Sequence, residues 1–487
     1  MWRSGQEGAR AQWAQARPDE AARQRAREVA EALDERLELR ARCAPWAAHA
    51  YDPAGPRGPV LHIDDLSAIP FLQDIIGVEL YQLRAVVRAG DGDLTVATCP
   101  PIEDYKAYNR DRLGLGAPES IHAPQVATAA EVALAASQGP ALERLAEVAR
   151  AKGGLLIHPY MGSEPVWELA RAIHEASGGA PVRVLGPPPP VTWLANDKEL
   201  LTEAAREAAG ADTVVPTTVG HGPREIARQL RALAEAGHRR VALKKTRCAS
   251  AMGNRRFLSS ELLTWDEDVL LAEVERFLLD KEWSRGEPIL SLVWEDVTSS
   301  PSTQLWIPHP SEGRPRVDGV YEQLLEGPEQ VFLGSIPSRL GPEVEARLAE
   351  VSLKVAEVYQ AFGYVGRCSF DFIVREGGGV RFVECNGRWG GTSTPMHLID
   401  RLFPEGRPWY RARDFISEEL KGVSFSELAA RLGDALYDPR SGEGRFVLYN
   451  MGMLSTYGKL DVISLGRDVD DATEALEVEL PRLLGLA

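Results

Sequence analysis

Two carboxylates and one amide are spaced for joint chemistry in residues 368–393, CSFDFIVREGGGVRFVECNGRWGGTS. Two β-rich runs flank Gly377–Gly378, a pair suited to a tight hairpin turn that needs positive φ angles. Such a turn puts Asp371 directly opposite Glu384, and the two-residue repeat of a strand puts Asn386 on the same face. Carboxylate and amide oxygens, together with substrate phosphates, are the ligands that a hard divalent cation such as Mg²⁺ takes. The segment therefore predicts a metal site for phosphate chemistry.

The two facing carboxylates also need a partner of opposite charge. Directly opposed side chains on neighbouring strands have Cβ atoms about 5 Å apart, and like charges there destabilise the pair. A divalent cation would offset that repulsion. Two other interpretations stay open, namely a solvated acidic face and a carboxylate paired with Arg388. Phe370 and Phe372 on the opposite face favour a strand that lies against a core.

Lysine is rare in this chain, which makes its positions informative. Of 55 basic residues only nine are lysines. Lys198 lies in NDKELL at the predicted start of a helix, where the side chain and the helix N-terminus both favour phosphate. Lys244 and Lys245 end the predicted strand RRVALKK, and the small residues of TRCASAMGN that follow let backbone N–H groups approach an anion. A solvated strand end is the alternative interpretation of that lysine pair.

The motif ECNGRWGG, with Asp371 upstream, resembles the Glu-x-Asn-x-Arg signature of the ATP-grasp superfamily. The resemblance implies that Asp371, Glu384 and Asn386 bind one or two Mg²⁺ ions, which Mn²⁺ can replace, at the phosphates of ATP. It also implies that Arg388 steadies the transferred phosphate and an acyl-phosphate intermediate.

The same resemblance extends to the nucleotide side of the site. NDKELL is similar to the superfamily's first lysine motif, and RRVALKKTRCASAMGN is similar to its second lysine strand and phosphate lid. The resemblance implies ATP contacts from Lys198, from Lys244 or Lys245, and from Ser250 and Gly253 of the lid. Lys244 is favoured over Lys245, because it directly follows Val-Ala-Leu as the superfamily's strand lysine usually does. The lid differs from many relatives in holding a single glycine.

Residues 289–307, ILSLVWEDVTSSPSTQLWI, resemble the adenine hinge of these enzymes. The resemblance implies that the backbone of Val293, Trp294 and Glu295 meets the adenine edge. Glu295, or Asp296 beside it, would accept the ribose hydroxyls. For the side chain of Trp294, a place in the core is the alternative to a nucleotide contact.

A narrower resemblance covers most of the chain beyond its first sixty residues. An α/β domain followed by NDK, KKTRCASAMGN, SPSTQ, EQLLEGP, ECNGRWGGTS and YNMGMLSTYGKLDVISLG is similar to the pheganomycin-type peptide ligases. The resemblance implies that Gly390, Gly391, Thr392 and Ser393 bind the substrate carboxylate beside Arg388. A simple turn is the alternative for this segment.

These implications predict an ATP-dependent carboxylate–amine ligase. It would convert a small-molecule or peptide carboxylate to an acyl phosphate, join it to an amine in a peptide or amide bond, and release ADP and phosphate. Two alternatives stay open: a phosphotransferase (kinase) that stops at phosphorylation, and an ATP-binding module without catalysis. His397 is expected to pack or cap rather than to act as a base, and Cys385 is expected to lie in the core.

Short apolar runs that alternate with helical segments predict the α/β scaffold that positions these residues. Residues 60–186 favour a mostly parallel sheet, and no strand there is followed by GxGxxG. This domain is therefore expected to select substrate rather than to bind nucleotide. The prolines of GPPPP, 186–190, predict a stiff linker.

The resemblance implies an ATP-grasp fold, in which two α+β subdomains clasp ATP, preceded by a Rossmann-like pre-ATP-grasp α/β domain. The expected domains are an N-terminal helix and linker (1–59), the pre-ATP-grasp domain (60–190), a small lid subdomain (191–290), a large subdomain with the metal site (291–440) and a C-terminal α/β segment (441–487).

Length and composition exclude several classes of protein. The 487 residues predict about three domains, and 44% hydrophobic with 26% charged residues is typical of a soluble globular chain. The formal charge of −16 argues against general nucleic-acid binding. No apolar run approaches the roughly 20 residues of a membrane span, and the N-terminus lacks the apolar stretch of a signal peptide. Five scattered cysteines argue against a disulfide framework. A cytoplasmic protein is predicted, with a homodimer as one option for its assembly.

Overall fold

The predicted N-terminal helix is present, and it buries a narrow apolar stripe formed by Ala26, Val29, Ala30 and Leu33. The computed structural model describes residues 13–486 apart from 15, 57, 70–74, 249–252 and 328–330. Asp19 caps this helix by accepting a hydrogen bond from the N–H of Ala22. The N-terminal helices are α1 (Glu20–Leu37) and α2 (Leu39–Cys43).

The first α/β domain is built on five short strands. The strands are β1 (Val60–Ile63), β2 (Leu94–Ala97), β3 (Glu119–His122), β4 (Leu155–Pro159) and β5 (Val182–Val184), and the helices are α3 (Glu103–Ala107), α4 (Val132–Ala136), α5 (Gly139–Lys152) and α6 (Glu164–Ala176). All neighbouring strands are parallel, in the order β3-β2-β1-β4-β5. The apolar strands share a core with the helices of this domain, as is usual for a parallel sheet. The predicted parallel sheet is confirmed.

The proline run after this domain differs from the predicted stiff linker. Pro188 is extended, but Pro189 and Pro190 occupy the first turn of a helix. Proline is compatible with that position, because the N–H groups of a first helical turn have no partner within the helix. The run therefore leads directly into α7 (Pro189–Asn196), which is followed by α8 (Lys198–Ala209).

A small antiparallel sheet follows, largely within the residues predicted to form the lid subdomain, and we call it the lid sheet. Its strands are β6 (Thr217–Gly220), β7 (Arg240–Lys245), β8 (Asn254–Leu258) and β9 (Ile289–Val293), with helices α9 (Pro223–Glu235), α10 (Ser259–Leu262) and α11 (Glu267–Asp280). The strand order is β6-β9-β7-β8. Strand β7 is buried along most of its length, so its two terminal lysines are held by a rigid element.

A larger unit of strands and helices is built on an eight-stranded antiparallel sheet. Its strands lie in the order β14-β13-β10-β11-β12-β15-β17-β16. Its strands are β10 (Pro301–Ile307), β11 (Arg316–Glu326), β12 (Val331–Pro337), β13 (Gly366–Val374), β14 (Val380–Asn386), β15 (Trp409–Ile416), β16 (Phe446–Asn450) and β17 (Lys459–Gly466). Its helices are α12 (Pro342–Ala361), α13 (Ser393–Leu402), α14 (Phe425–Leu432), α15 (Leu454–Tyr457), α16 (Val469–Glu474) and α17 (Leu480–Leu484).

One face of this sheet packs against a core to which the N-terminal helix belongs. Helices α1, α7, α8 and α12 share that core with β10, β11, β13 and β14. Helix α1 thus packs within this chain, on helices distant in sequence. Among the described residues, no helix is long and apolar enough to cross a membrane.

Candidate active site

The carboxylate hairpin consists of β13 and β14. Asp371 pairs with Glu384 and Ser369 with Asn386, as the sequence predicts. Asn386 lies two residues beyond Glu384, on the same face of β14. The hairpin thus brings two carboxylates and an amide to one edge of the large sheet.

The turn and the register beyond it differ from the predicted hairpin. The N–H of Arg375 donates to the carbonyl of Gly379, so the loop is one residue longer than a two-residue turn. Gly377–Gly378 has φ angles of 84° and 83°, which only glycine adopts readily. A register shift after Asp371 compensates for the longer loop, because Val383 forms a bulge in β14.

Glu384 lies between two lysines from other parts of the chain. Its Oε1 is 3.1 Å from Nζ of Lys198, and its Oε2 is 3.4 Å from Nζ of Lys244. Burial alone would raise the pKa of Glu384, but the two ammonium groups hold it below its usual range. The repulsion between Glu384 and Asp371 is therefore offset here by lysines. The repulsion by itself is therefore no argument for a metal ion, and the predicted metal site depends on the donor set.

Asp371, Asn386 and Arg388 form a hydrogen-bonded chain beside this cluster. Nδ2 of Asn386 donates to Asp371 at 3.0 Å, and Nη1 of Arg388 donates to Oδ1 of Asn386 at 2.5 Å. Burial, and then the nearby charge of Glu384, raise the pKa of Asp371 to about 6. Arg388 also keeps a buried Nε without a hydrogen-bond partner. The chain thus orients a guanidinium that retains hydrogen-bonding capacity.

The donor set fits Mg²⁺ bound together with substrate oxygens. Among the described residues, no group of three or more His, Cys, Asp or Glu side chains could hold a metal by itself. Mg²⁺ commonly binds through one or two carboxylates and completes its shell with phosphates and water. Asp371 and Glu384, with the amide oxygen of Asn386, match that pattern. Against these two carboxylates stand three cations, Lys198, Lys244 and Arg388, which favours a polyanionic ligand.

A cavity of about 640 Å³ lies over this cluster, between the lid sheet and the large sheet. Its size is within the usual range of small-molecule sites. It extends from the predicted hinge to the glycine segment after Arg388. Residues that line it include Lys244, Asp371, Glu384, Asn386, Arg388 and Tyr160.

The two predicted lysine motifs occupy different positions around the cavity. Lys198 is the first residue of α8, which Asp197 caps. Its buried ammonium contacts Glu384, does not line the cavity, and donates to the carbonyl of Cys248 at 2.8 Å. Lys244 lines the cavity, whereas Lys245 extends the other way and donates to the carbonyl of Lys281 at 2.9 Å. Neighbouring residues of a strand point to opposite faces, which explains the difference.

The lid loop after β7 lies partly outside the described residues. Ser250 falls in that part of the chain. Gly253 packs closely on Cys248, since a Cβ at Gly253 would lie 2.8 Å from the Cys248 Cβ. The structure thus accounts for one small residue of the lid by packing.

The predicted hinge forms one end of the cavity. The N–H of Val293 donates to Pro216 and that of Trp294 to Arg240, both at 3.0 Å. These two N–H groups are used in hydrogen bonds within the protein, so the predicted contact of this segment with adenine would come from its other backbone groups. Val293, Trp294, Glu295 and Asp296 all line the cavity.

The two acidic residues of the hinge have arginine partners. Glu295 lies 3.3 Å from Nε of Arg375, and Asp296 lies 3.1 Å from Nη1 of Arg239 and pairs with Arg240. Glu295 is less exposed than Asp296, with 12% against 62% of its side chain accessible. A ribose would therefore meet a better-fixed carboxylate at Glu295.

The glycine segment after Arg388 is a loop that forms part of the cavity wall. Gly390, Gly391 and Thr392 line the cavity. The hydroxyl of Ser393 is buried and donates to Oε1 of Gln304 at 2.7 Å, while it accepts from the N–H of Gly390 at 3.1 Å. Ser393 thus holds the loop in place through these two hydrogen bonds. The cavity surface at this point consists of the three residues before it, Gly390, Gly391 and Thr392.

The first α/β domain reaches this loop through Trp389, a contact that the sequence did not reveal. The N–H of Trp389 donates to the carbonyl of Tyr160 at 2.9 Å. Its buried indole lies 4.8 Å from the guanidinium of Arg88 and 5.7 Å from that of Arg367, within cation–π range. Arg388 is therefore followed directly by an anchored residue. No local pattern marks Tyr160 or Arg88, because the contact joins residues far apart in sequence.

His397 supports the same anchor as a largely buried, neutral ring. It lies edge-on to Trp389 at 5.3 Å, and burial, then nearby arginines such as Arg367, lower its pKa to about 3. Packing, rather than base catalysis, is its role here. Between pH 6.5 and 3 the unfolded chain takes up a proton at this residue that the folded chain excludes.

We expect His397→Gln to flatten the loss of stability in acid. In the unsubstituted protein, His397 lowers the free energy of unfolding by about 1 kcal/mol between pH 7 and 5.5. Urea unfolding at both pH values measures the difference. His221→Gln, at an exposed position, serves as the control. Equal pH dependence in the His397 variant and the unsubstituted protein would contradict the assignment of a buried neutral ring.

Two kinds of similarity to known proteins bear on the fold, a family model and a set of solved structures. The family model described as the Pre ATP-grasp domain matches residues 82–174, which lie within the first α/β domain. No curated protein matches the sequence.

Similar folds occur among solved structures. N5-carboxyaminoimidazole ribonucleotide synthetase from Thermus thermophilus has a TM-score of 0.52 and 14% identity, covering 87% of this chain and 98% of that chain. Carboxyaminoimidazole ribonucleotide synthase from Aspergillus clavatus, solved with ATP, has a TM-score of 0.51 and 11% identity, covering 88% and 98%.

The biotin carboxylase domain of 2-oxoglutarate carboxylase from Hydrogenobacter thermophilus, solved with MgADP, ADP and bicarbonate, is also similar. Its TM-score is 0.50 and its identity 15%, covering 82% of this chain and 86% of that domain. At such identities the likeness concerns the fold. The chain therefore has the ATP-grasp fold, preceded by a pre-ATP-grasp domain, as its motifs implied.

Proposed function

We propose that this protein is an ATP-dependent carboxylate–amine ligase that forms a peptide or amide bond. The observation that carries the proposal is the content of one cavity. It joins a hinge for a nucleotide, a carboxylate–amide set with Lys244 beside it and Lys198 in contact with Glu384, and an oriented arginine beside a glycine loop. The structural neighbours solved with ATP or MgADP support the nucleotide assignment.

The geometry suits transfer of the γ-phosphoryl group of ATP to a carboxylate. Lys244 would meet the phosphates from the cavity wall, and Lys198, which contacts Glu384 from outside the cavity lining, would add its positive charge. Arg388 would hold the transferring phosphoryl group and then the acyl phosphate, because its fork presents parallel donors to phosphate oxygens. Fixed positive charges that face the atoms on which negative charge develops stabilise the transition state. They lower the energy barrier because they are already in position and need not reorganise during the reaction.

Asp371, Glu384 and Asn386 would hold Mg²⁺. When bound, Mg²⁺ neutralises charge on the phosphate oxygens. The amine would then attack the acyl carbon and release phosphate, giving ADP and phosphate as products. Gly390, Gly391 and Thr392 border the cavity beside Arg388, where a carboxylate would lie in reach of that guanidinium.

Two competing functions share this cavity. A phosphotransferase would need the same phosphate ligands, and the motif resemblance to peptide ligases is what favours a carboxylate over an alcohol as the acceptor. A module that only binds ATP would not need a partly buried guanidinium held by Asn386 at 2.5 Å. We therefore place the ligase first.

Release of ADP tests this proposal directly. Amino acids and short peptides are supplied in pairs with ATP and Mg²⁺, ADP is measured, and the products are identified by mass spectrometry. We expect ADP formation that depends on both an acid and an amine, with a product lighter by one water than the sum of the two. ADP formed with an alcohol and a stable phosphate ester would favour the phosphotransferase instead.

Lys244 and Lys245 provide a matched pair for the nucleotide assignment. Lys244→Met is expected to raise the dissociation constant for ATP at least about tenfold, since an interaction with a charged group contributes roughly 1.5–3 kcal/mol. Lys245→Met is expected to change it less than threefold, because its ammonium lies near Lys281 and Glu287 instead. Titration calorimetry with ATP and Mg²⁺ measures both. A larger loss for Lys245→Met would reverse the assignment.

A further inference from the structure

The cavity continues along the large sheet, beyond the Arg388 loop. Gln323 and Leu325 line it from β11, and Phe332 lines it from β12. Strand β11 lies three positions from β14 in the sheet, roughly 14 Å at the usual strand spacing. These residues thus wall the part of the cavity that is remote from the carboxylate hairpin.

Leu325 and Phe332 act as one apolar surface. They are directly opposed across β11 and β12, an arrangement in which aromatic and aliphatic side chains pack together. The ring of Phe332 also meets the glycine loop, since a Cβ at Gly391 would lie 2.5 Å from its Cε1. The apolar surface and the loop beside Arg388 are therefore continuous.

We propose that Leu325 and Phe332 form a subsite for an apolar side chain of the acid substrate. This inference rests on the proposed function, because it takes the carboxylate of that substrate to lie at Arg388 and the glycine loop. An apolar group placed on this surface is removed from water with a gain in free energy. A charged group placed there would lose its hydration against two side chains, Leu325 and Phe332, that cannot form a hydrogen bond with it. The acid is thus an apolar carboxylic acid, such as an acylated amino acid with an aliphatic or aromatic side chain.

Hydroxylamine trapping with a panel of acids tests the subsite. The panel consists of the N-acetyl derivatives of glycine, leucine, phenylalanine, aspartate and lysine, and hydroxamate formation with ATP and Mg²⁺ gives kcat/KM for each. We expect the leucine and phenylalanine derivatives to exceed the two charged ones at least about tenfold, as apolar contacts of this size discriminate. Phe332→Ala should reduce the ratio of the phenylalanine to the glycine derivative by about tenfold.

Two further variants keep the test decisive. Leu325→Ala probes the same surface should Phe332→Ala fail to fold, and it should lower the same ratio. Leu279→Ala, at a position that is 80% exposed, should leave every ratio unchanged. Hydroxamate formed equally well or better from the charged acids would overturn the subsite but leave the ligase intact. Absence of hydroxamate with all five acids, while ATP still binds, would overturn the proposed function and the subsite with it.

Discussion

Glu384→Gln is expected to lower the rate of ADP formation by about 10³-fold or more. The carboxylate of Glu384 is the common partner of Lys198 and Lys244, and it directly faces Asp371. The amide keeps the size of the side chain but removes the charge on which the two ammonium groups are centred. It also removes one of the two carboxylates assigned to Mg²⁺. Both losses act on the phosphates of ATP.

The same substitution should also destabilise the protein, because it leaves buried ammonium groups without an anionic partner. Breaking a buried ion pair costs about 3 kcal/mol or more. Urea unfolding measures that cost, and ADP release at saturating ATP and Mg²⁺ measures the rate. Glu376→Gln, at an exposed position in the turn of the same hairpin, is the matched control. A folded Glu384 variant with full activity would remove Glu384 from the site.

Arg388→Lys is expected to lower both hydroxamate and peptide formation by about 10²-fold or more. The substitution keeps a positive charge but loses the planar fork, which alone can contact Asn386 and a phosphate oxygen at once. Because one guanidinium serves the phosphoryl transfer and the intermediate, both products should fall together. ATP affinity should change much less, since Lys244 remains in the cavity.

Arg339→Lys, with 54% of its side chain exposed, is the matched control for Arg388→Lys and should retain full activity. Loss of peptide with hydroxamate retained would show that Arg388 serves only the amine step. Retention of both would contradict its assignment.

The part of the site that follows local rules could be predicted from the sequence. The pairing of Asp371 with Glu384 follows from the position of Gly377–Gly378 and the two-residue repeat of strands. The prediction of the turn itself was one residue short, and the register at Asp371 held because a bulge at Val383 compensates. Nothing in the apolar stretch around Val383 marks a bulge, since side-chain packing on both faces decides where it occurs.

The contacts between distant segments could not be predicted from the residues alone. Lys244 meets Glu384 because the lid sheet folds over the hairpin, and Trp389 meets Tyr160 because the first α/β domain packs beside the glycine loop. No local pattern encodes either approach. The expected roles of Lys244 and Glu384 came from the motif resemblance, which orders the segments without giving their distances. The two lysines that contact Glu384 offset its repulsion with Asp371, for which the sequence argument had invoked a divalent cation.

The central claim is that the acid is activated as an acyl phosphate. Following one carboxylate oxygen through the reaction tests it most directly. An acid that supports ADP release is labelled with ¹⁸O in its carboxylate, and the phosphate released with the product is analysed by mass spectrometry. An acyl-phosphate route leaves one carboxylate oxygen on the phosphate, because the amine displaces phosphate at the acyl carbon. We therefore predict one ¹⁸O atom per phosphate, with ADP as the nucleotide product. Unlabelled phosphate, or AMP as the stoichiometric product, would contradict the account.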